Sequence, residues 1–178
     1  MSGTRTLRGK TGWLFLALII LAADLWTKES IFGPLAEREY RWVLGEWFGF
    51  TKVWNKGMMW GALQDFSSAL RVARMLAAVV VFAMILGTPP SARLLQTALS
   101  LVLGGALGNI YDGFVFGKVR DFLLVDLDLP GFDPFPVFNV ADSAICVGVG
   151  LLALGLALDS GKAEVGETGA GTRDGASE

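Results

Sequence analysis

Residues 137–158 read VFNVADSAICVGVGLLALGLAL, from Val137 through Asn139 and Asp142 to Leu158. A helix of a soluble domain keeps a polar stripe for water. Beyond Ser143 this stretch has none, and its length matches the roughly 20 apolar residues needed to cross a hydrocarbon core of about 30 Å. Three further apolar stretches precede it, at residues 13–32, 67–87 and 91–111, the second closed by Thr88-Pro89-Pro90, a strong helix stop. The chain is 53% hydrophobic and only 18% charged, with mean hydropathy +0.52, too apolar for a soluble domain of its size. We therefore expect an all-α membrane protein with four transmembrane helices in a single domain, residues 1–158. Residues 159–178 are rich in Gly, Ala, Ser, Thr and charge, cannot bury a core, and are expected to form a disordered polar tail.

The stretch at 13–23 follows Arg5, Arg8 and Lys10, as a secretory signal peptide would, and residues 21–23 offer a small-residue cleavage site. Apolar residues resume after Asp24 with Leu25, Trp26, Ile31 and Phe32, so the segment reads as a retained span. The three basic residues place the N-terminus in the cytoplasm by the positive-inside rule, and four spans return the C-terminus there. Arg71 and Arg74 run against that rule at the start of the second span. Segments 33–65 and 112–136 then share the outer face. In the first of these, Trp42, Trp47 and Trp54 lie among Phe48, Phe50, Val43 and Val53 and several charges, which reads as short strands at the membrane interface.

A net charge of −2 without a basic stripe excludes nucleic acid as a partner. The sequence has no His and the single Cys146, which removes Ser-His and Cys-His catalysis, His-ligated metals and internal disulfides. No metal and no cofactor is expected. Asp126-Leu127-Asp128 resembles the opening of a calcium loop, but Val137 stands where the bidentate Glu belongs. Cys146 itself reads as a small core residue.

A carboxylate in or beside a membrane helix costs several kcal/mol unless paired or hydrated, so each is a functional candidate. Asp24 and Lys28, four apart, share a helix face, and a self-compensating ion pair and a working pair both fit. Asn109 and Asp112 are three apart at the end of the third span, Asn139 and Asp142 three apart at the start of the fourth, and each pair would face one way. Asp121 comes from the intervening loop. Solvated helix ends would account for Asp112 and Asp121, whereas the apolar neighbours of Asp142 place it inside a helix. Gly104-Gly105-Ala106-Leu107-Gly108 brings small residues to one face of the third helix for close packing.

Taken in order, these motifs resemble the lipoprotein signal peptidase family, signal peptidase II, whose members are intramembrane aspartic proteases. The resemblance covers about residues 13–158. It rests on Asp24-Leu25-Trp26-Thr27-Lys28, on Gly104-Gly105-Ala106-Leu107-Gly108-Asn109-Ile110-Tyr111-Asp112, on Val119-Arg120-Asp121-Phe122 and on Phe138-Asn139-Val140-Ala141-Asp142. It implies Asp121 and Asp142 as the catalytic pair. It implies substrate-binding or supporting roles for Asp24, Lys28, Asn55, Gly57, Gly108, Asn109, Asp112, Asn139 and Ala141, and makes the outer segment a small extracytoplasmic β-sheet cradle. The implied activity removes signal peptides from diacylglyceryl-modified lipoprotein precursors, just before the lipidated Cys. The implied setting is the bacterial inner membrane, with phospholipid around a monomer and the site near the outer face. Two positions depart from the family pattern. Gly113 stands where Arg usually follows the Asp of the third helix, and Met58, Met59 and Trp60 replace Ala, Ala and Phe in Asn55-Lys56-Gly57-Met58-Met59-Trp60-Gly61. Two alternatives to the peptidase are a small proton-coupled transporter and a non-catalytic protein that binds lipidated peptides.

Overall fold

The structure, a computed structural model, describes residues 3–56, 67–126 and 135–170. The chain forms α1 (Gly3–Thr27), a π-helical turn (Lys28–Phe32), β1 (Tyr40–Leu44), β2 (Phe48–Asn55), α2 (Ser67–Gly87), α3 (Arg93–Val115), β3 (Val119–Val125) and α4 (Val140–Ala170). It is mostly helical, with one antiparallel sheet in the order β1-β2-β3. Among the described residues, Arg93–Val115 and Val140–Leu158 are long and apolar enough to cross a membrane.

α3 is the central helix and packs most extensively on α4 and α1. Its glycines make this possible. A side chain at Gly104 would meet the Ala17 carbonyl oxygen of α1 at 2.6 Å, and one at Gly105 would overlap the Ala141 carbonyl oxygen of α4. The small-residue run thus serves two helix contacts. The apolar core gathers Ala17, Ala78, Ile85, Leu99 and Leu103. Gln96, fully buried on α3, closes the end of α2 by donating from Nε2 to the carbonyls of Thr88 (2.9 Å) and Ile85 (3.2 Å).

Large apolar side chains such as Phe15, Leu76, Val79, Val147 and Leu156 are turned outward. Cys146 is also exposed rather than in the core, because it lies on the outward side of α4 with Val147 and Val149. The helix continues to Ala170, where the tail was expected to begin at residue 159. Extending an established helix is far easier than nucleating one, and Lys162, Ala163 and Glu164 are good helix formers.

The loop expected around Asp121 is a strand. Its Val119, Phe122, Leu124 and Val125 suit a pleated surface, and β3 pairs with β2 through Phe48↔Val125, Phe50↔Leu123 and Val53↔Asp121, with a bulge between. Phe138 then exchanges backbone hydrogen bonds with Leu123 (2.8 and 3.1 Å) and accepts one from Phe122 N–H (3.0 Å). This short ladder fixes the entry to α4 against β3. Gly57 and the substitutions at Met58, Met59 and Trp60 lie outside the described residues, as do Asp128 and residues 171–178.

Candidate active site

Asn109 and Asp112 lie on one face of α3, as their spacing predicts, and both reach Lys28. The ammonium is fully buried in the π-helical turn, 2.7 Å from Asp24 Oδ2, 3.1 Å from Asn109 Oδ1 and 3.2 Å from Asp112 Oδ2. The Asp24–Lys28 pair is therefore the centre of a network, not an isolated compensation at a membrane edge. Asp24 uses its other oxygen to accept the backbone N–H of Ala141 at 2.9 Å, joining α1 to the first turn of α4. Gly108 leaves room for that carboxylate, since a Cβ there would overlap Asp24 Oδ2.

Asn139 precedes α4 and caps it, where the sequence spacing suggested a residue on the helix face. Its Oδ1 accepts Asp142 N–H at 2.8 Å, while Asp142 Oδ2 accepts Asn139 N–H at 3.3 Å. Asn-x-x-Asp is here a reciprocal capping box, which satisfies orphan donors at the helix N-terminus and puts a carboxylate in the favourable field of the helix dipole. Asp142 is half-buried. Its Oδ1 accepts Asn109 Nδ2 at 2.7 Å.

The Nδ2 of Asn139 turns the other way and donates to Asp121 Oδ1 at 2.7 Å. Asp121 Oδ2 accepts Asn55 Nδ2 from β2 at 2.9 Å. One fully buried side chain thus touches both Asp121 and Asp142. Asp121 is 1% exposed and Asp112 is fully buried, so neither is a solvated chain end. Burial, and then repulsion from Asp142, push the Asp121 carboxyl up to about 7, against the opposing hydrogen bonds of Asn55 and Asn139 and the charge of Lys28. The raised Asp121 carboxyl can thus carry a proton near neutral pH, beside an ordered set of amide donors. That arrangement can deprotonate a water and protonate an oxyanion in one step.

The described candidates thus come from α1 and its π-helical turn, from α3 and from the entry to α4, while Asn55 and Asp121 arrive from the sheet. Sequence reasoning assigned no role to Arg120 or Glu29. Arg120 is buried and its guanidinium meets Asp112 Oδ1 at 2.8 and 3.1 Å and Glu29 Oε2 at 3.2 Å. Gly113 is buried beside the stem of Arg71 from α2, whose Nη1 lies 3.4 Å from the Gly113 carbonyl oxygen. Among the described residues, no group of three or more His, Cys, Asp and Glu side chains is arranged to hold a metal ion.

Residues 16–158 match the family model for signal peptidase (SPase) II. The chain belongs to the signal peptidase II family. It is 40% identical over 152 residues to the lipoprotein signal peptidase of Pseudomonas putida, covering 82% of this chain and 86% of that one. With the lipoprotein signal peptidase of Moorella thermoacetica it shares 39% over 150 residues, covering 84% of this chain and 95% of its relative. A solved structure described as a bacterial membrane enzyme superposes with a TM-score of 0.76 at 26% identity, over 84% of this chain and 90% of that one. A second, of the same description, gives 0.72 at 27% identity over 82% and 92%. Membership makes the chain a peptidase, and the network around Lys28, Asn109 and Asn139 lies within the matched region of this signal peptidase II family member.

Proposed function

We propose that the chain is an intramembrane aspartic endopeptidase that cleaves diacylglyceryl-modified lipoprotein precursors just before the lipidated cysteine. The observation that carries this reading is the Asp121–Asp142 pair, joined through one buried Asn139, with the Asp121 carboxyl raised to about 7. Asp142 takes a proton from water as the water attacks the scissile carbonyl, and protonated Asp121 donates to the carbonyl oxygen. The C–N bond then breaks as the proton on Asp142 passes to the leaving amine, and a hydroxyl of the tetrahedral intermediate returns its proton to Asp121 as the carboxyl product forms. Asn139, Asn109 and Asn55 hold the two carboxyls in place. No covalent intermediate is needed.

Four membrane-spanning helices, cytoplasmic termini, and the sheet and site at the outer face of the bacterial inner membrane complete the proposal. The outward apolar side chains on α1, α2 and α4 support the spans, because lipid, unlike water, carries no penalty for contact with them. Exposed Trp26, Tyr40, Trp42 and Trp47 suit an interfacial belt around the sheet. Surrounding phospholipid and a monomeric state are part of the same reading.

Cleavage of a synthetic diacylglyceryl-modified precursor peptide in detergent tests it. The wild type should release the signal peptide, while Asp121→Asn and Asp142→Asn should bind the peptide and leave it intact. Asn is close in shape but can neither take water's proton, as Asp142 does, nor give up a carboxyl proton, as Asp121 does, so each change should cost orders of magnitude in kcat. Because the pair acts as a unit, the double variant should be little worse than either single one. Substantial cleavage by Asp142→Asn would end the aspartic reading. Proton-coupled transport without cleavage, or binding without cleavage by the wild type, would establish one of the alternatives.

A further inference from the structure

Adjacent residues on a strand point to opposite faces of the sheet. In β3 this places Asp121 against Asn55 and Asn139, and Arg120 against the end of α3 and the π-helical turn. Arg120 gives Asp112 three hydrogen bonds. Its backbone N–H reaches Oδ2 at 3.0 Å, and Nε and Nη2 reach Oδ1 at 3.1 and 2.8 Å. Its Nη1 reaches Glu29, an exposed residue, and its guanidinium stacks 4.7 Å from the Phe116 ring. Its carbonyl accepts Asn139 Nδ2 at 3.3 Å, the same nitrogen that donates to Asp121. A residue whose side chain is held by three partners and whose carbonyl is held by a fourth fixes the backbone of the next residue.

We infer that Arg120 is a positioning residue for the reaction: it clamps the start of β3 onto Asp112 and Glu29 and so sets where the Asp121 carboxyl stands relative to Asp142. The inference rests on the aspartic reading above.

Charge gives Arg120 a second, separable contribution. Asp24, Lys28, Asp112 and Arg120 form a neutral buried set of two carboxylates and two cations. Among the described residues, Glu29 at the rim of the π-helical turn pairs with Arg120 of this set, and Arg71 from α2 reaches the Gly113 carbonyl oxygen beside Asp112. Neutralising Arg120 leaves Asp112 and Asp24 to share Lys28, and the net negative charge added beside the pair strengthens its hold on a proton. Lysine keeps the charge but loses the planar fork that engages Asp112 and Glu29 at once. Charge and geometry can therefore be separated by two substitutions.

The test is the pH dependence of kcat and KM for the full-length enzyme in detergent with the lipidated precursor peptide, for wild type, Arg120→Gln, Arg120→Lys and Asp142→Asn. Arg120→Gln should lower kcat by about tenfold or more, as a displaced catalytic group does, with KM nearly unchanged. Its pH profile should move about one unit to higher pH. Arg120→Lys should return the profile to the wild-type position yet keep most of the loss in kcat. If Arg120→Gln does not fold, the kcat of Arg120→Lys decides the matter alone. Wild-type kcat in Arg120→Lys, or an unshifted profile in a folded Arg120→Gln, overturns the inference while an inactive Asp142→Asn leaves the aspartic reading standing. Cleavage by Asp142→Asn overturns that reading instead.

Discussion

Asp24 Oδ1 accepts the backbone N–H of Ala141 at 2.9 Å, across 117 positions of sequence. The bond ties the first helix to the first turn of the fourth, one residue before Asp142. Its carboxylate is held for this by Lys28, which in turn touches Asn109 and Asp112. The carboxyls proposed to react and the charges that orient them are therefore one connected structure.

Lys28→Met should accordingly be the most destabilising single change in the site. It leaves Asp24 and Asp112, both fully buried, without their shared cation, and breaking a buried pair from one side costs about 3–5 kcal/mol. Thermal unfolding in detergent checks this. A variant with wild-type Tm would mean that the Lys28 charge does not hold the network together.

Gly108→Ala adds a single methyl group, yet that carbon would overlap the Asp24 carboxylate. Asp24 must then move, and its bonds to Ala141 and Lys28 move with it. We expect a loss of activity far larger than for Ala at Gly12, where nothing lies within 4 Å of the added atom. Equal effects at the two positions would show that the Asp24 contact is unimportant.

The location of this site was partly legible in the sequence. Asn109, Asp112 and Lys28 meet because helical spacing puts them on facing sides of two helices, and that spacing is local. Asn139 and Asp142 were legible as a pair but not as a capping box, because a three-residue spacing looks the same inside a helix and at its start. β3 was hidden because Arg120 and Asp121 interrupt its apolar run with charge, and their partners, Asp112, Asn139 and Asn55, lie on three other elements. Cys146 misled for a reason particular to membrane helices: apolar neighbours signal burial in water, but in lipid they mark the outside.

Orientation can be read with a thiol placed on the sheet side. Because Cys146 is exposed, the label belongs in a Cys146→Ala background. There, Glu37→Cys, at an exposed position before β1, should react with an impermeant reagent added outside intact cells, while a reporter fused after Leu158 should be cytoplasmic. The same background with residues 159–178 removed should still insert and cleave, since residues 159–170 form the end of α4 opposite Asp142. Labelling only from the inside would invert the topology and carry the site with it.

The proton on Asp121 makes the last prediction, in which activity and stability oppose each other. Its carboxyl is raised from the ordinary 3.8 to about 7, so the folded protein binds this proton more tightly than the unfolded chain. A raised carboxyl lends stability that is full below the unfolded value and is lost as pH rises through the folded one. Between about pH 4 and pH 7 the wild type should therefore lose part of its stability as Asp121 is forced to carry charge in a buried place. Asp121→Asn has no such charge to acquire, so its Tm should fall less over the same range and exceed that of the wild type at pH 8. Cleavage by the wild type should decline above about pH 7 for the same reason, since the proton needed at the carbonyl oxygen has then gone. Unfolding curves of both proteins at pH 5 and pH 8, beside a kcat profile of the wild type, check the two together. If the wild type gains stability relative to Asp121→Asn as pH rises, Asp121 is ionised in the resting enzyme, and the proton for the oxyanion must come from Asp142.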